Sequence, residues 1–173
     1  MRTVKTAIIG CGSISEIYLK NLTQEFDNVD VTAVSDLDLD RAQRRARQFD
    51  IPKACTPEEV YADQDVELVV NLTIPSSHHK VCLAALHAGK HVYVEKALAT
   101  TVAQADEILQ TAKAGHLLVG CAPDTFLGAG IQTCKEIIES GQLGIPTLVC
   151  GMMVRGGPEA RHPNPEFLYK TGA

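Results

Sequence analysis

The sequence lacks an excess of basic residues: its 173 residues include 16 lysines and arginines against 21 aspartates and glutamates, a net charge of −5. Because proteins that bind nucleic acid through its phosphates carry a basic face, we expect no nucleic-acid partner. No apolar run approaches the roughly 18 residues that span a bilayer, so we expect no membrane partner. The short apolar stretch at the N-terminus enters a glycine turn directly, which is not the pattern of a secretory signal.

Paired cysteines are absent as well. The six cysteines, at positions 11, 55, 82, 121, 134 and 150, are scattered and form no C-x-x-C pair. This spacing indicates neither a disulfide framework nor a metal site. Free thiols in a reducing compartment are the simplest interpretation, so we expect a cytoplasmic protein. A composition of 45% hydrophobic and 21% charged residues is typical of a globular domain and excludes a disordered tail or a coiled-coil rod.

Short β-branched runs alternate with helical patterns along the first two thirds of the chain. Strands are predicted at 6–9, 29–35, 68–74, 91–94 and 116–119, and apolar helix faces at 14–22, 39–49, 81–88 and 102–112. Thr101 and Gln104 predict a capping box, and Gly89 and Gly115 stand where helices should end. Several strands are apolar without alternation, as in a parallel sheet covered on both faces. The sequence therefore predicts a doubly wound α/β domain.

The pattern changes after residue 121. A helix is predicted over 128–139, ending at Ser140 and Gly141, followed by a strand over 146–154 and a loop-like tail. One helix, one strand and a loop cannot bury a core of their own. We therefore predict a dinucleotide-binding domain over 1–121, and over 122–173 the first elements of an incomplete α+β substrate and oligomerisation domain.

A glycine turn joins the first strand to the first helix. Gly10, Gly12 and Ser15 form G-x-G-x-x-S, the dinucleotide fingerprint with serine at the third glycine position. The first glycine permits the tight turn, the second admits the pyrophosphate, and the third position needs a small residue for helix–strand packing. The helix N-terminus, with Ser13 and Ile14 before it, offers N–H groups to the phosphates. Its position between strand and helix favours a Rossmann-type cofactor site over an ordinary tight turn.

Asp36 follows the second strand, 24 residues after Gly12, close to the spacing of about 20 expected for the acid that binds the adenosine ribose. A carboxylate there repels a 2′-phosphate, which favours NAD over NADP. The opposing feature is a group of arginines on the next helix. We interpret them as a solvated helix face; they are Arg41, Arg44, Arg45 and Arg47.

Two further segments carry a family resemblance. Residues 88–97 read AGKHVYVEKA, and residues 71–79 read NLTIPSSHH. With the glycine turn, these resemble the glucose-fructose oxidoreductase, inositol dehydrogenase and rhizopine-catabolism family (Gfo/Idh/MocA), which typically shows T-P-x-x-x-H and A-G-K-H-V-x-x-E-K-P. The resemblance runs over essentially the whole chain, including 137–144. It departs at Ala97, where the family has a proline whose ring would fix φ.

The resemblance implies an NAD-dependent oxidoreductase that acts on a hydroxyl of a sugar, cyclitol or related polyol and forms a homo-oligomer when full length. It implies that Thr73, Pro75, Glu95 and Lys96 contact the cofactor and that Lys96 is catalytic. Family members also continue beyond the length of this chain, and that part carries a histidine that partners the lysine.

Lys96 is a candidate without the family as well. Ligands of open α/β sheets bind outside the carboxyl ends of the strands. An ammonium group there could stabilise an alkoxide-like charge or relay a proton. The alternative is a surface lysine paired with Glu95.

Other candidate residues have structural alternatives. His79, in the first turn of a helix, is a second catalytic candidate or a structural histidine. Asp124 is a candidate cofactor contact or a turn acid. We expect structural roles for His78, His87 and His91.

Two further functions stay open. The protein could be a non-catalytic NAD-binding regulator, as some relatives of the family are, or this chain could be a binding-only fragment. Retention of Lys96 favours an enzyme.

Overall fold

The structure, a computed structural model, describes residues 2–152, 154, 156, 157 and 169. They divide into two compact units, with the boundary between Ala122 and Pro123. The first unit contains the sheet and five helices, and the second contains a short 3₁₀ turn and one helix.

The first unit is built on six parallel strands in the order β3-β2-β1-β4-β5-β6. The strands are β1 Val4–Ile9, β2 Val29–Ser35, β3 Lys53–Cys55, β4 Leu68–Asn71, β5 His91–Val94 and β6 Val119–Cys121. The direction of winding reverses between β1 and β4, and in sheets of this kind ligands bind beside that reversal. The predicted Rossmann-type fold is confirmed.

Helices cover both faces of this sheet. They are α1 Ser15–Gln24, α2 Leu39–Gln48, α3 Pro57–Ala62, α4 Pro75–His87 and α5 Val102–Ala114. Side chains of β1 alternate between two apolar clusters: Ile8 belongs to the cluster that includes Leu19 of α1 and Ala42 of α2. Ala7 and Ile9 belong to the cluster that includes Val60 of α3, Cys82 of α4 and Ile108 of α5.

Three details of the sheet differ from the sequence prediction. The short elements β3 and α3 were not predicted. β4 ends at Asn71 instead of 74. The Asn71 side chain accepts a hydrogen bond from the Thr73 N–H, and this turn leads the chain away from the sheet. β6 begins at Val119 instead of 116, because His116 has a φ of +55° and Leu117 still bonds back to Ala112 of α5.

Helix ends also show where local patterns were right and where they were not. Thr101 caps α5 by accepting the Gln104 N–H at 3.2 Å, but Gln104 Oε1 bonds to Thr100, so the predicted capping box is only half formed. Gly89, with a φ of +76°, ends α4 as predicted. Gly115, the residue directly after α5, keeps a helical conformation, and His116 takes the left-handed position after it.

The second unit contains the 3₁₀ turn Thr125–Leu127 and helix α6 Ala129–Glu139. α6 ends at Ser140, and Gly141 follows with a φ of +76°, as the sequence predicts. The predicted strand over 146–154 is wrong for the described residues 146–152 and 154, none of which is in a strand. A strand needs a neighbour to pair with, and the described part of this unit offers none. Most of the predicted tail beyond 155 lies outside the described residues.

Candidate functional site

Two glycines with opposite requirements shape the turn between β1 and α1. Gly10 has a φ of +105°, and a Cβ atom there would lie 2.6–2.8 Å from backbone atoms of Leu72 and Thr73. Both the backbone angle and the neighbouring chain therefore demand glycine. At Gly12 a Cβ atom would meet nothing within 4 Å. The space in front of Gly12 is open, as the approach of a phosphate to the backbone requires.

Side chains from α1 and α2 donate hydrogen bonds to the carbonyl of Gly12. Ser15 is fully buried and donates its hydroxyl to this carbonyl at 2.6 Å. Arg45 of α2 donates from Nη2 to the same oxygen at 3.4 Å, and its Nη1 pairs with Glu16 of α1 at 3.0 Å. With its side chain only 17% exposed, Arg45 braces the turn, so its assignment to a solvated face is wrong. Arg44 and Arg47 are exposed, as expected.

Asp36, directly after β2, supports the other side of the turn. Its Oδ2 accepts the Cys11 N–H at 2.8 Å, and its Oδ1 accepts the Asp38 N–H at 2.9 Å. Arg41 Nη1 lies 3.6 Å from Oδ2, and the Asp36 side chain is 11% exposed. Because a carboxylate accepts about four hydrogen bonds, Asp36 retains capacity for two ligand hydroxyls.

A cavity of about 410 Å³ opens at the carboxyl ends of β1, β2 and β4. Gly10, Gly12 and Asp36 line one part of it. Its apolar walls come from Leu37, Pro57, Tyr61, Leu72, Ile74 and Val81, and its other charged residues are Arg41, Glu58 and Lys80. Burial raises the pKa of Tyr61 to about 12, so this wall residue is neutral at pH 7. The volume and the mostly apolar walls suit a flat heterocycle linked to a sugar.

Beyond the cavity, a buried polar network joins β4, α4 and the loop after β5. Asn71 and His78 are both fully buried. Asn71 Oδ1 accepts the N–H and hydroxyl of Thr73, at 3.2 and 2.7 Å. The ring of His78 lies between two carbonyls, with Nδ1 2.6 Å from Ala97 O and Nε2 3.0 Å from Thr73 O. Thr73, which also lines the cavity, is thus fixed from two sides.

The loop after β5 carries Glu95 and Lys96. Tyr18 of α1 donates its hydroxyl to Glu95 Oε1 at 2.9 Å, and the Lys96 N–H donates to Glu95 Oε2 at 3.0 Å. The Lys96–Ala97 peptide bond is cis. Lys96 is exposed, and its ammonium has no hydrogen-bond or ion-pair partner among the described residues. The alternative of a lysine paired with the Glu95 side chain is therefore not what the structure contains.

The remaining predicted site residues are not among the described residues that line the cavity. Ser13 and Ile14 are exposed in the turn that enters α1, and Pro75 is the first residue of α4. His79 points to α5, where its Nε2 lies 2.7 Å from Glu107 Oε2. Asp124 is exposed in the second unit, before the 3₁₀ turn, and makes no side-chain cap bond. The roles predicted for these residues stay predictions.

Sequence analysis missed several residues at this end of the sheet. They are Tyr18, Arg45, Tyr61 and Asn71, together with the contacts of His78, for which a structural role was expected. One usable indication was the spacing in the family pattern T-P-x-x-x-H, in which the histidine follows the threonine by five positions. Thr73 and His78 keep that spacing, with Ile74 in the place of the proline.

The buried cysteines of the first unit are structural side chains. Burial, with a smaller effect from the Asp36 carboxylate, raises the pKa of the Cys11 thiol to about 12, and burial raises that of Cys82 to about 11. Both thiols are therefore protonated and unreactive at neutral pH. Within the part of the chain that the structure describes, no group of three His, Cys, Asp or Glu side chains could hold a metal ion. In the same part, no helix has the length and apolar character needed to cross a membrane.

Comparison with known proteins matches this architecture. The model of an oxidoreductase family with an NAD-binding Rossmann fold, Gfo/Idh/MocA, matches residues 4–122. Inositol 2-dehydrogenase of Salmonella typhimurium is 30% identical over 172 residues, which cover 98% of this chain and 51% of that protein. Inositol 2-dehydrogenase of Acidiphilium cryptum is 33% identical over 167 residues, 94% of this chain and 46% of that protein.

A solved structure gives the same picture. The crystal structure of myo-inositol dehydrogenase from Lactobacillus casei, in complex with NAD(H) and myo-inositol, superposes with a TM-score of 0.76 at 26% identity. The match covers 83% of this chain and 43% of that one. The chain thus spans about half the length of the curated relatives it matches.

Proposed function

Because the chain belongs to the Gfo/Idh/MocA oxidoreductase family, we propose that it binds NAD and is the cofactor-binding part of a dehydrogenase that oxidises a hydroxyl of a polyol. The relatives named inositol dehydrogenases favour a cyclitol or a related sugar as the substrate. The observation that carries the proposal is the open space in front of Gly12, continuous with a cavity that Asp36 lines.

The residues around the cavity fit the parts of a dinucleotide. The adenine would lie between apolar side chains such as Leu37 and Tyr61, and the ribose hydroxyls would bond to the free lone pairs of Asp36. The pyrophosphate would lie at Gly12, where the N-terminus of α1 contributes N–H groups and the positive end of its dipole.

We favour NAD over NADP. The Asp36 carboxylate lines the cavity at the ribose position, and its charge opposes a 2′-phosphate. Arg41 also lines the cavity, but it is engaged by Asp36 at 3.6 Å and Asp38 at 3.7 Å. Its charge is therefore already offset by two carboxylates.

Lys96 is the residue that we assign to the chemistry. NAD, when bound, accepts a hydride from the carbon that carries the reacting hydroxyl. The Lys96 ammonium would donate a hydrogen bond to that hydroxyl oxygen and stabilise the negative charge that develops on it. Its head is exposed beyond the carboxyl end of β5 and has no partner among the residues that the structure describes, which leaves it available for this contact.

We further propose that the protein acts in the cytoplasm and, at full length, as a homo-oligomer. Scattered cysteines support the first expectation. The family resemblance supports the second.

Gly12→Val tests the cofactor site. The branched side chain would occupy the space that the pyrophosphate needs, so NADH affinity, measured by fluorescence titration, should fall roughly tenfold or more. Gly130→Val is the matched control: a Cβ atom at Gly130 of α6 also meets nothing within 4 Å, but it lies in the second unit. Equal NADH affinity in Gly12→Val and wild type would remove the turn from the cofactor site.

A further inference from the structure

We propose that His78 is a positioning residue: its ring holds the carbonyl of Ala97, and thereby the backbone that carries Lys96, against the first turn of α4. The inference rests on the proposed function, because it assumes that Lys96 acts on substrate. It assigns a part in the reaction to a side chain that has no exposed surface and touches neither cofactor nor substrate.

The first observation behind this proposal is the pair of contacts that the His78 ring makes. His78 is fully buried, and each ring nitrogen lies within hydrogen-bond distance of a backbone carbonyl, Ala97 O at 2.6 Å and Thr73 O at 3.0 Å. Carbonyl oxygens only accept, so each nitrogen bonds only when it carries a proton. A neutral ring has one N–H, and the shorter contact places it on Nδ1. The bond to Ala97 is therefore the one that either protonation state of the ring should retain.

The second observation is that the Asn71 side chain holds the backbone around His78. Asn71, at the end of β4, donates from Nδ2 to His78 O at 3.2 Å and to Cys82 Sγ at 3.4 Å. Its Oδ1 accepts both polar hydrogens of Thr73. All four hydrogen-bonding positions of this amide are thus used, on Thr73, on the backbone of His78 itself and on Cys82. The backbone of His78 is thereby tied to Asn71, the last residue of the central strand β4, so the ring projects from a firmly held position.

The loop that carries Lys96 is held on both sides of the lysine. Before it, Glu95 accepts the Tyr18 hydroxyl at 2.9 Å. After it, Ala97 has no proline ring to fix its backbone, and its carbonyl is bound by His78. The hydrogen bond thus restrains the Ala97 carbonyl at the position where the family pattern has a proline. Misplacing a reacting group by about 1 Å can cost roughly 100-fold in rate, so this support has a direct consequence for turnover.

Two amide variants separate the two bonds of the ring. In His78→Asn the side-chain nitrogen can take the place of Nδ1, which retains the bond to Ala97 and gives up the bond to Thr73. In His78→Gln the amide nitrogen can take the place of Nε2, which retains Thr73 and gives up Ala97. Order parameters of the backbone ¹⁵N nuclei of Lys96 and Ala97 report the result in the 173-residue chain.

We expect order parameters near 0.85 in wild type and His78→Asn, and below about 0.6 in His78→Gln. In the complete gene product, His78→Gln should lower kcat by about 100-fold and leave the KM for NAD near the wild-type value, while His78→Asn restores kcat. Equal order parameters in the two variants would overturn the proposal.

A measurement on the wild-type protein tests the proposal even if the variants do not fold. The ¹⁵N–¹H correlation spectrum of the imidazole should show a slowly exchanging proton on Nδ1 of His78. A ring without a proton on Nδ1 would overturn the proposal. If wild type fails to bind NADH, the proposed function fails, while the order parameters and the imidazole spectrum still decide the position of the Lys96 backbone.

Discussion

Asp36 supports the fold of the glycine turn and is also the residue to which we assign the preference for NAD. Its carboxylate accepts the Cys11 N–H of the glycine turn at 2.8 Å and also lines the cavity. Removing the side chain altogether would therefore disturb the turn and the ribose contact together. A test of cofactor preference needs a variant that keeps the acceptor and removes only the charge.

Asp36→Asn meets this requirement, because an amide oxygen can still accept the Cys11 N–H. We expect NAD affinity to fall by about 1–3 kcal/mol, the range for losing hydrogen bonds to a charged group, and NADP affinity to rise. Asp38→Asn is the control: it also removes a negative charge beside Arg41, but Asp38 caps α2, a role that asparagine fills equally well. Wild type that binds NADP as tightly as NAD would contradict this account of Asp36.

For two buried serines near the same turn, we predict opposite effects of an alanine substitution on the free energy of unfolding. Ser15 Oγ donates to Gly12 O at 2.6 Å, whereas Ser35 Oγ, also fully buried, has no hydrogen-bond partner among the described residues. Ser15→Ala should lower the free energy of unfolding by about 1 kcal/mol, and Ser35→Ala should leave it unchanged or raise it. Urea denaturation of both variants measures this difference. A loss in Ser35→Ala as large as that in Ser15→Ala would reveal an unrecognised partner of the Ser35 hydroxyl.

At the scale of elements, helix α3 matters more to the site than its six residues suggest. It supplies Pro57, Glu58 and Tyr61 to the cavity. Its start is fixed by a complete capping box, in which Thr56 Oγ1 accepts the Glu59 N–H at 3.3 Å and Glu59 Oε2 accepts the Thr56 N–H at 2.8 Å. Such a short helix has little propensity to form alone, so the cap contributes much of its local stability.

Thr56→Ala should therefore lower the free energy of unfolding by about 1 kcal/mol and weaken NADH binding as well. Thr101→Ala is the matched control, since Thr101 caps α5 by the same bond at 3.2 Å and α5 provides none of the described lining residues of the cavity. It should cost similar stability without changing NADH affinity. If both variants bind NADH equally well, the position of α3 does not control the cavity.

Much of the element order was predictable because long buried strands leave a clear pattern. β2 and β5 coincide with the predicted ranges, since their β-branched runs lie between polar or glycine-containing turns. β3 and α3 were missed because three and six residues are too few for a periodicity to register. The run before β6 misled the prediction: Leu118 is apolar yet 72% exposed, so its hydrophobicity says nothing about burial.

The residues of the candidate site also fall into two groups, those that a local sequence pattern indicates and those that only the tertiary fold brings together. The positions of Gly10, Gly12 and Asp36 at the cavity could be predicted, because the glycine turn and the strand end that follows it are local patterns. Their contacts with a cofactor stay predictions. The bond between His78 and Ala97 joins residues 19 positions apart that meet only when β4 and β5 pair side by side. Contacts of this kind follow from the tertiary fold, and no short-range pattern contains them.

At the scale of the whole molecule, the described parts are unequal in what they provide. The first unit contains both apolar core clusters, the cavity that we propose for the cofactor, and Lys96. The second unit leaves apolar side chains exposed, with Ile145, Leu148, Val149 and Met152 each at least 85% accessible. The sequence predicted an unpaired apolar strand here; the described residues instead form an exposed apolar segment without strand pairing. Exposed apolar surface of this extent favours association with further protein surface.

Residues 1–173 alone should therefore bind NADH and fail to oxidise polyols. The cofactor contacts lie within the first unit, but the Lys96 ammonium has no partner among the described side chains, and the relatives are about twice as long. Substrate positioning can supply roughly 7–11 kcal/mol of barrier lowering, so a lysine without a formed substrate pocket should give turnover near zero. The measurement is NADH titration of the 173-residue chain, followed by an assay of NADH formation against a panel of polyols, with the complete gene product as the positive control.

Binding without turnover in the complete product as well would favour the NAD-binding regulator. Robust turnover by residues 1–173 would contradict the prediction and require a partner for Lys96 within this chain, with His79→Asn the first variant to examine and Glu107→Gln, which removes the partner of that histidine, as its control.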